Sequence, residues 1–107
     1  MILKIDTTKR EEITVELIQS SGKSAKLVEK QKLGSQALLP LISKILKNSK
    51  LKFKNIKSIE VNPGPGSFTG TRVGVTVANV LGFVLDVPVN GKTKNIVIPK
   101  YEKSKFD

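Results

Sequence analysis

Two short stretches carry residue types that could do chemistry. The first is Asp6-Thr7-Thr8, which follows the apolar run Ile2, Leu3, Ile5. A carboxylate and two hydroxyls at a strand end are the groups that hold a metal-bound phosphate. The second is Asn62-Pro63-Gly64-Pro65-Gly66-Ser67. Gly64 and Gly66 permit positive φ and close backbone approach, while Pro63 and Pro65 fix φ. Ser67 or Thr69 can cap a helix that starts there, and the free N–H groups at such a start can hold an anion. The candidate phosphate-binding residues are therefore Asp6, Thr8, Gly64, Gly66 and Ser67. Simpler readings stand beside this one. A lone Asp in a turn commonly bonds its own backbone, and the Pro/Gly loop also suits a plain strand-to-helix turn. It is neither a Walker loop nor a dinucleotide fingerprint, since the glycine spacing and the required Lys are wrong. Nor does a second carboxylate come from an evident partner position. Asp86 follows a helix, and Glu60 lies inside a strand.

Composition narrows the chemistry further. The chain has 107 residues, no Cys and no His. Disulfides, Ser-His and Cys-His nucleophiles and zinc-hydrolase sites are excluded. Any catalysis would rest on the nine carboxylates or on a phosphate-bound metal ion, so no catalytic residue, resident metal or cofactor is expected. The length suits one domain. Hydrophobic residues make up 38% and aromatics only 5%, which implies a core of Ile, Leu and Val. The net charge is +10, and all the basic residues but Arg10 and Arg72 are Lys. Such a balance draws polyanions. A diffuse Lys excess is equally a solubility feature, because specific phosphate and base recognition leans on Arg forks. The Lys-rich segments are 44–57 and 92–105. The amino terminus turns polar too soon for a secretory signal. No apolar run approaches the ~20 residues of a membrane span. A cytoplasmic protein is expected.

The elements that must position these groups follow from periodicity. Ile2, Leu3 and Ile5 predict a buried first strand. Glu12 to Gln19 alternates as a half-buried strand, with Ser20 to Lys23 as the turn after it. Ser24 to Lys32 reads as an edge strand guarded by lysines. Leu38, Leu39, Leu41, Ile42, Ile45 and Leu46 recur at helical spacing, with Ser35 as the cap. Pro40 sits awkwardly for that cap, so the helix starts later or its first turn bends. Ser58 to Val61 reads as a strand and Phe68 to Leu85 as a second helix, despite its valines and glycines. Asp86 to Gly91 predicts a turn and a final core strand, and Ile96 to Ile98 one more short strand. The terminal residues should be mobile. The fold class is α/β, in the order β-β-β-α-β-α-β, a mixed sheet with two helices.

The second helix carries a further pattern. Gly70, Gly74, Ala78 and Gly82 recur every four residues, a stripe of very small side chains. Glycine in a helix costs roughly 1 kcal/mol, and the cost is tolerated where another backbone comes close. That backbone is either the chain's own sheet or a partner helix. Val73, Val77, Val80, Leu81 and Val84 lie on other faces, so the helix is apolar nearly all round. The first helix has a similar surplus. Together they predict a helical face completed by another chain. The interface residues expected are Leu38, Leu41, Ile42, Ile45, Gly70, Arg72, Gly74, Val77, Ala78 and Leu81. Arg72 would make a charged contact there or brace the loop.

Three stretches resemble one family. They are Ile5-Asp6-Thr7-Thr8, Leu38-Leu39-Pro40-Leu41-Ile42 and the run Gly64-Pro65-Gly66-Ser67-Phe68-Thr69-Gly70-Thr71-Arg72-Val73-Gly74. They look like the TsaB (YeaZ) family of bacterial tRNA threonylcarbamoyladenosine biosynthesis, related to the TsaD/Kae/Gcp-like proteins. The resemblance runs from Met1 to about Gly91. It implies a ribonuclease H-like, actin-like ATPase (ASKHA) lobe at 1–91, with 92–107 as a short basic extension. That family usually has two such lobes, of which this sequence holds the first. It often has His-Ser-Glu where this chain has Gly34-Ser35-Gln36. The resemblance implies a non-catalytic subunit that stabilises a TsaD-like catalytic subunit through helices over Ser35–Asn48 and Phe68–Leu85. Self-pairing through the same helices, a TsaE-like ATPase as a further partner and indirect tRNA contact are also implied, with no membrane role. The alternatives are an ASKHA-type nucleotide-binding protein and a basic tRNA-binding module.

Overall fold

Alternating burial defines the sheet. β1 (Ile2–Asp6) buries Leu3 and Ile5, and β2 (Glu12–Ile18) buries Ile13, Val15 and Leu17. β4 (Ser58–Val61) buries Ile59 and Val61. The register sets Leu3 between Leu17 and Ile59, and Ile5 between Val15 and Val61. All seven side chains therefore share one face, as the period of two requires. The protein is described here from a computed structural model covering residues 1–30, 37–66, 68–92 and 97–98, with backbone alone at 68 and 69. The sheet order is β3-β2-β1-β4, with β3 (Ser24–Lys30) antiparallel to β2, β2 antiparallel to β1, and β1 parallel to β4.

Both helices cover the buried face. α1 (Leu38–Asn48) lies over β2 and β3, and α2 (Phe68–Leu85) lies over β4 and β1. The opposite face carries Lys4, Asp6, Glu12, Thr14, Glu16 and Glu60 and stays partly open. The element order is the expected mixed α/β one, and α2 has the expected bounds. Two details differ. The final strand is reduced to a bridge at Val89, parallel to Ile59. Of the strand expected at Ile96 to Ile98, Ile96 lies outside the described residues. Val97 is instead held by the Asn79 amide of α2, which accepts from the Val97 N–H at 3.0 Å and donates to its carbonyl at 2.9 Å. Val97 is 8% exposed and belongs to the core, so the packed unit reaches past Gly91.

The expected Ser35 cap lies outside the described residues, as do Gly34, Gln36, Ser67 and the terminal residues 99–107. α1 starts at Leu38 with no side-chain cap on Ala37. Pro40 is then its third residue, where the N–H has no helical acceptor and its loss costs little. Both helices end the same way. After α1, Leu51 N–H reaches Leu46 O at 2.8 Å and Lys50 N–H reaches Lys47 O at 3.0 Å. After α2, Val87 N–H reaches Gly82 O at 3.0 Å and Asp86 N–H reaches Phe83 O at 3.4 Å. These are Schellman closures. The residue at each turning point is left-handed, Lys50 at φ 57° and Asp86 at φ 55°. Glycine is favoured there, since a Cβ is strained. Lys50→Gly is expected to raise stability by about 0.5–1 kcal/mol. Urea unfolding followed by circular dichroism checks it.

Candidate functional site

The carboxyl ends of the parallel pair β1 and β4 lie side by side, next to the start of α2. This is the place where open α/β sheets hold ligands. Asp6 anchors the corner. Its Oδ1 accepts from the Thr8 N–H at 2.9 Å and from the Thr8 hydroxyl at 2.7 Å. Its Oδ2 accepts from the Asn62 amide at 3.2 Å. Asn62 in turn accepts from the Gly64 N–H at 3.1 Å, and its own N–H donates to Ile5 O at 2.9 Å. Gly64 has φ 100° and is followed by a cis bond to Pro65. A Cβ on Gly66 would meet the Thr8 Cβ at 2.6 Å and the Thr8 carbonyl at 2.7 Å. Asp6, Thr8, Gly64 and Gly66 are thus brought together from two segments far apart in sequence.

What this corner can do follows from its charges. Partial burial pushes the Asp6 carboxyl up, but the Thr8 hydroxyl, the Thr8 N–H, the Asn62 amide and the nearby Lys9 charge together pull it below its ordinary value. Asp6 is therefore an anion at neutral pH with both oxygens in use. The described residues contain no group of three metal-ligating side chains. The arrangement is a carboxylate-tied turn that fixes the loop before α2. A phosphate here would have to sit beside a carboxylate already committed to the fold.

Thr7 faces the other way, into the core. Its hydroxyl donates to the Gly70 carbonyl. A Cβ on Gly74 would run into the Thr7 Oγ1, and one on Gly82 into the Val89 side chain. Ala78 is fully buried between them. The stripe Gly70, Gly74, Ala78, Gly82 therefore packs on this chain's own sheet. These positions are covered by the chain's own strands, and the interface expected on them has no exposed surface there. The same holds for Leu38, Leu41, Ile42 and Ile45, which are buried against β2 and β3. On an 11-residue helix with one apolar stripe, the sheet takes that stripe and leaves Pro40, Lys44 and Lys47 outward.

With the stripe turned inward, the helical repeat turns another set outward. Phe83 is 88% exposed, Val84 69% and Val80 55%. Val73, Val77 and Leu81 are partly buried at the margins of that set, and Arg72 and Thr76 lie exposed on it. Leu39 of α1 is half exposed as well. Of the interface residues read from the sequence, Val77, Leu81 and Arg72 are the ones that reach this side. Phe83 was not among them. Its signal was available, because once 70, 74, 78 and 82 face inward, 80, 83 and 84 fall on the far side.

Two outcomes test this assignment of faces. Asp6 has a depressed folded value, so its contribution is present above the unfolded value near 4 and is lost as pH falls through the folded one. Asp6→Asn is expected to cost about 1–2 kcal/mol at neutral pH and to flatten the acid limb of stability against pH. Gly74→Ala is expected to cost about 1–3 kcal/mol by overpacking against Thr7. Both are read by urea unfolding across a pH series.

Comparison with known proteins gives a consistent picture. The family model of the tRNA N6-adenosine threonylcarbamoyltransferase TsaD matches residues 28–92. The TsaB of Haemophilus influenzae, a tRNA threonylcarbamoyladenosine biosynthesis protein, is 36% identical over 88 residues, which cover 82% of this chain and 37% of that protein. The TsaB of Escherichia coli is 35% identical over 57 residues, 53% of this chain and 25% of the relative. Among solved structures, YeaZ from Pseudomonas aeruginosa superposes with a TM-score of 0.77 at 32% identity, covering 82% of this chain and 42% of that one. A second such structure, with a TM-score of 0.77 and 31% identity, is described by its similarity to the peptidase YeaZ. The chain spans well under half the length of these relatives.

Proposed function

The chain belongs to the family of the tRNA N6-adenosine threonylcarbamoyltransferase TsaD, as one of its TsaB (YeaZ) members, and we propose that it serves tRNA threonylcarbamoyladenosine formation as a docking subunit rather than as the catalyst. On this reading residues 1–91 supply an ASKHA-type first lobe, and 92–107 extend it with basic charge. The partner is a TsaD-like catalytic subunit, with a TsaE-like ATPase as a further member of the assembly, in the cytoplasm. Among the described residues, no helix is long and apolar enough to cross a membrane.

One observation carries the reading: the outward side of α2 is apolar and uncovered, at Val80, Phe83 and Val84. An aromatic ring almost wholly in water is unfavourable unless something covers it, and burying such a side chain is worth about 1.5–3 kcal/mol. Aromatic anchors of this kind dominate interfaces. Chemistry in this chain has far less to draw on. It lacks His and Cys, and the carboxylate corner at Asp6 is occupied by its own turn. A peptidase of the zinc or Cys-His kind cannot be built from these residues.

Phe83→Glu combined with Val84→Lys is expected to weaken association with the TsaD-like subunit by at least about 30-fold, the counterpart of roughly 2 kcal/mol. Stability of the isolated chain should be unchanged. Titration calorimetry on the pair checks this, with light scattering of the chain alone. Wild-type affinity in the variant would remove α2 from the interface. Loss of a self-dimer without loss of the heteromeric complex would assign the same face to a second copy instead.

A further inference from the structure

Residues 30–59 contain no Asp or Glu. Within that span the end of α1 and the turn Phe53–Asn55 enclose a groove of about 540 Å³, lined by Ser43, Leu46, Lys47, Lys50, Leu51, Lys52 and Phe53. A second hollow of about 370 Å³ continues it along α1, sharing Ser43 and Lys47 and adding Lys44. The ion pairs among the described residues are Lys4–Glu60 and Lys9–Glu12, so none of these lysines is neutralised. All four are exposed, while Phe53 is only partly so. Part of this charge complements the carboxyl end of α1, where Lys47 lies in the last turn. Three ammonium groups on the groove and a fourth, Lys44, on the hollow that continues it exceed what a helix end needs.

We propose that this groove binds a single-stranded nucleic acid, with phosphates on Lys44, Lys47, Lys50 and Lys52 and a base on the Phe53 ring. Ammonium groups flanking an apolar floor with one aromatic ring match the alternation of charge and flat ring in a nucleotide strand. A duplex offers no free base to stack. An anionic membrane would call for exposed apolar residues beside the lysines. Among the described residues the large exposed hydrophobics are Val28, Leu39, Val80, Phe83, Val84 and Ile98, and none lines the groove. An acidic peptide would satisfy the lysines and leave the Phe53 floor unused. The inference is independent of docking through α2, because it uses different residues.

Fluorescence anisotropy with labelled oligo-uridylate, oligo-thymidylate and a duplex, over a potassium chloride series, tests it on the 107-residue chain. Four phosphate contacts on a single strand predict a slope of log affinity against log salt of about −2.8. Lys47→Gln with Lys50→Gln should shallow that slope by about 1.4. The same change at Lys26 and Lys30 of β3 should leave it intact. Phe53→Leu keeps apolar volume and should weaken binding roughly 5-fold with the slope unaltered. Tighter uridylate binding assigns RNA as the source, and tighter thymidylate binding assigns DNA. The proposal is overturned by a slope that ignores the Lys47/Lys50 pair, or by duplex bound as tightly as single strands. It is equally overturned by polyglutamate competing as well as the oligonucleotides. Retention on phosphatidylserine vesicles through these lysines, without oligonucleotide binding, would also sink it.

Discussion

Thr7 donates its hydroxyl to the Gly70 carbonyl, across a helix–sheet contact close enough that Gly74 has no room for a Cβ. Most of the architecture rests on that contact. It brings α2 down onto β1 and β4 at backbone distance. It repeats one turn at a time through Ala78 to Gly82, which meets Val89. Because the helix is apolar on more than one side, seating one stripe decides which other stripe faces water. Phe83, Val80 and Val84 are exposed because Gly74, Ala78 and Gly82 are not. The glycines lower helix propensity, and the packing of a whole helix offsets that local cost. Asp6, one residue before Thr7, ties the loop that feeds the same helix. Adjacent side chains at the end of β1, Asp6 and Thr7, pointing opposite ways, thus secure both the helix and its approach.

Much of this was legible in the sequence. A short apolar run located β1, alternation located β2, the segment before the Pro/Gly turn located β4, and the bounds of α2 followed despite five valines, because a strand of that length is implausible. The α/β class followed from the order of these runs, and the family resemblance from Ile5–Thr8, Leu38–Ile42 and Gly64–Gly74. What was not legible is which of two apolar faces the sheet would take. Leu38, Leu41, Ile42 and Ile45 satisfy the same periodicity whether they meet a sheet or a partner. Only the sheet's own need for cover, through Leu17, Ile13 and Val15, settles the matter. The candidate corner was half legible. Asp6, Thr8, Gly64 and Gly66 do converge. That the Asp6 oxygens are consumed by Thr8 and Asn62 depends on side-chain geometry from two segments, which no local pattern encodes.

The charge is also sorted by the fold. The uncovered face of the sheet sets Asp6, Glu12, Glu16 and Glu60 among Lys4, Lys26 and Lys30. The segment from Lys44 to Lys57 carries lysine without any carboxylate. A net charge of +10 is therefore not a uniform coat. The sheet face is close to balanced and suited to meeting another mixed surface. The end of α1 concentrates the excess, so attraction of anions is directional.

Asn90 has a role that its place in a turn does not suggest. Its backbone N–H bonds Ile59 O, and its side chain then accepts from the Val61 N–H and donates to the Val61 carbonyl at 2.8 and 2.9 Å. One residue thereby occupies two successive rungs along the outer edge of β4, the second with an amide in place of a peptide. An open rung is where a stray strand from another molecule can latch on and seed a fibre. Here the rung is already filled by a group that has no further backbone to offer at that level. The sheet ends at β4 with a stopper rather than a strand.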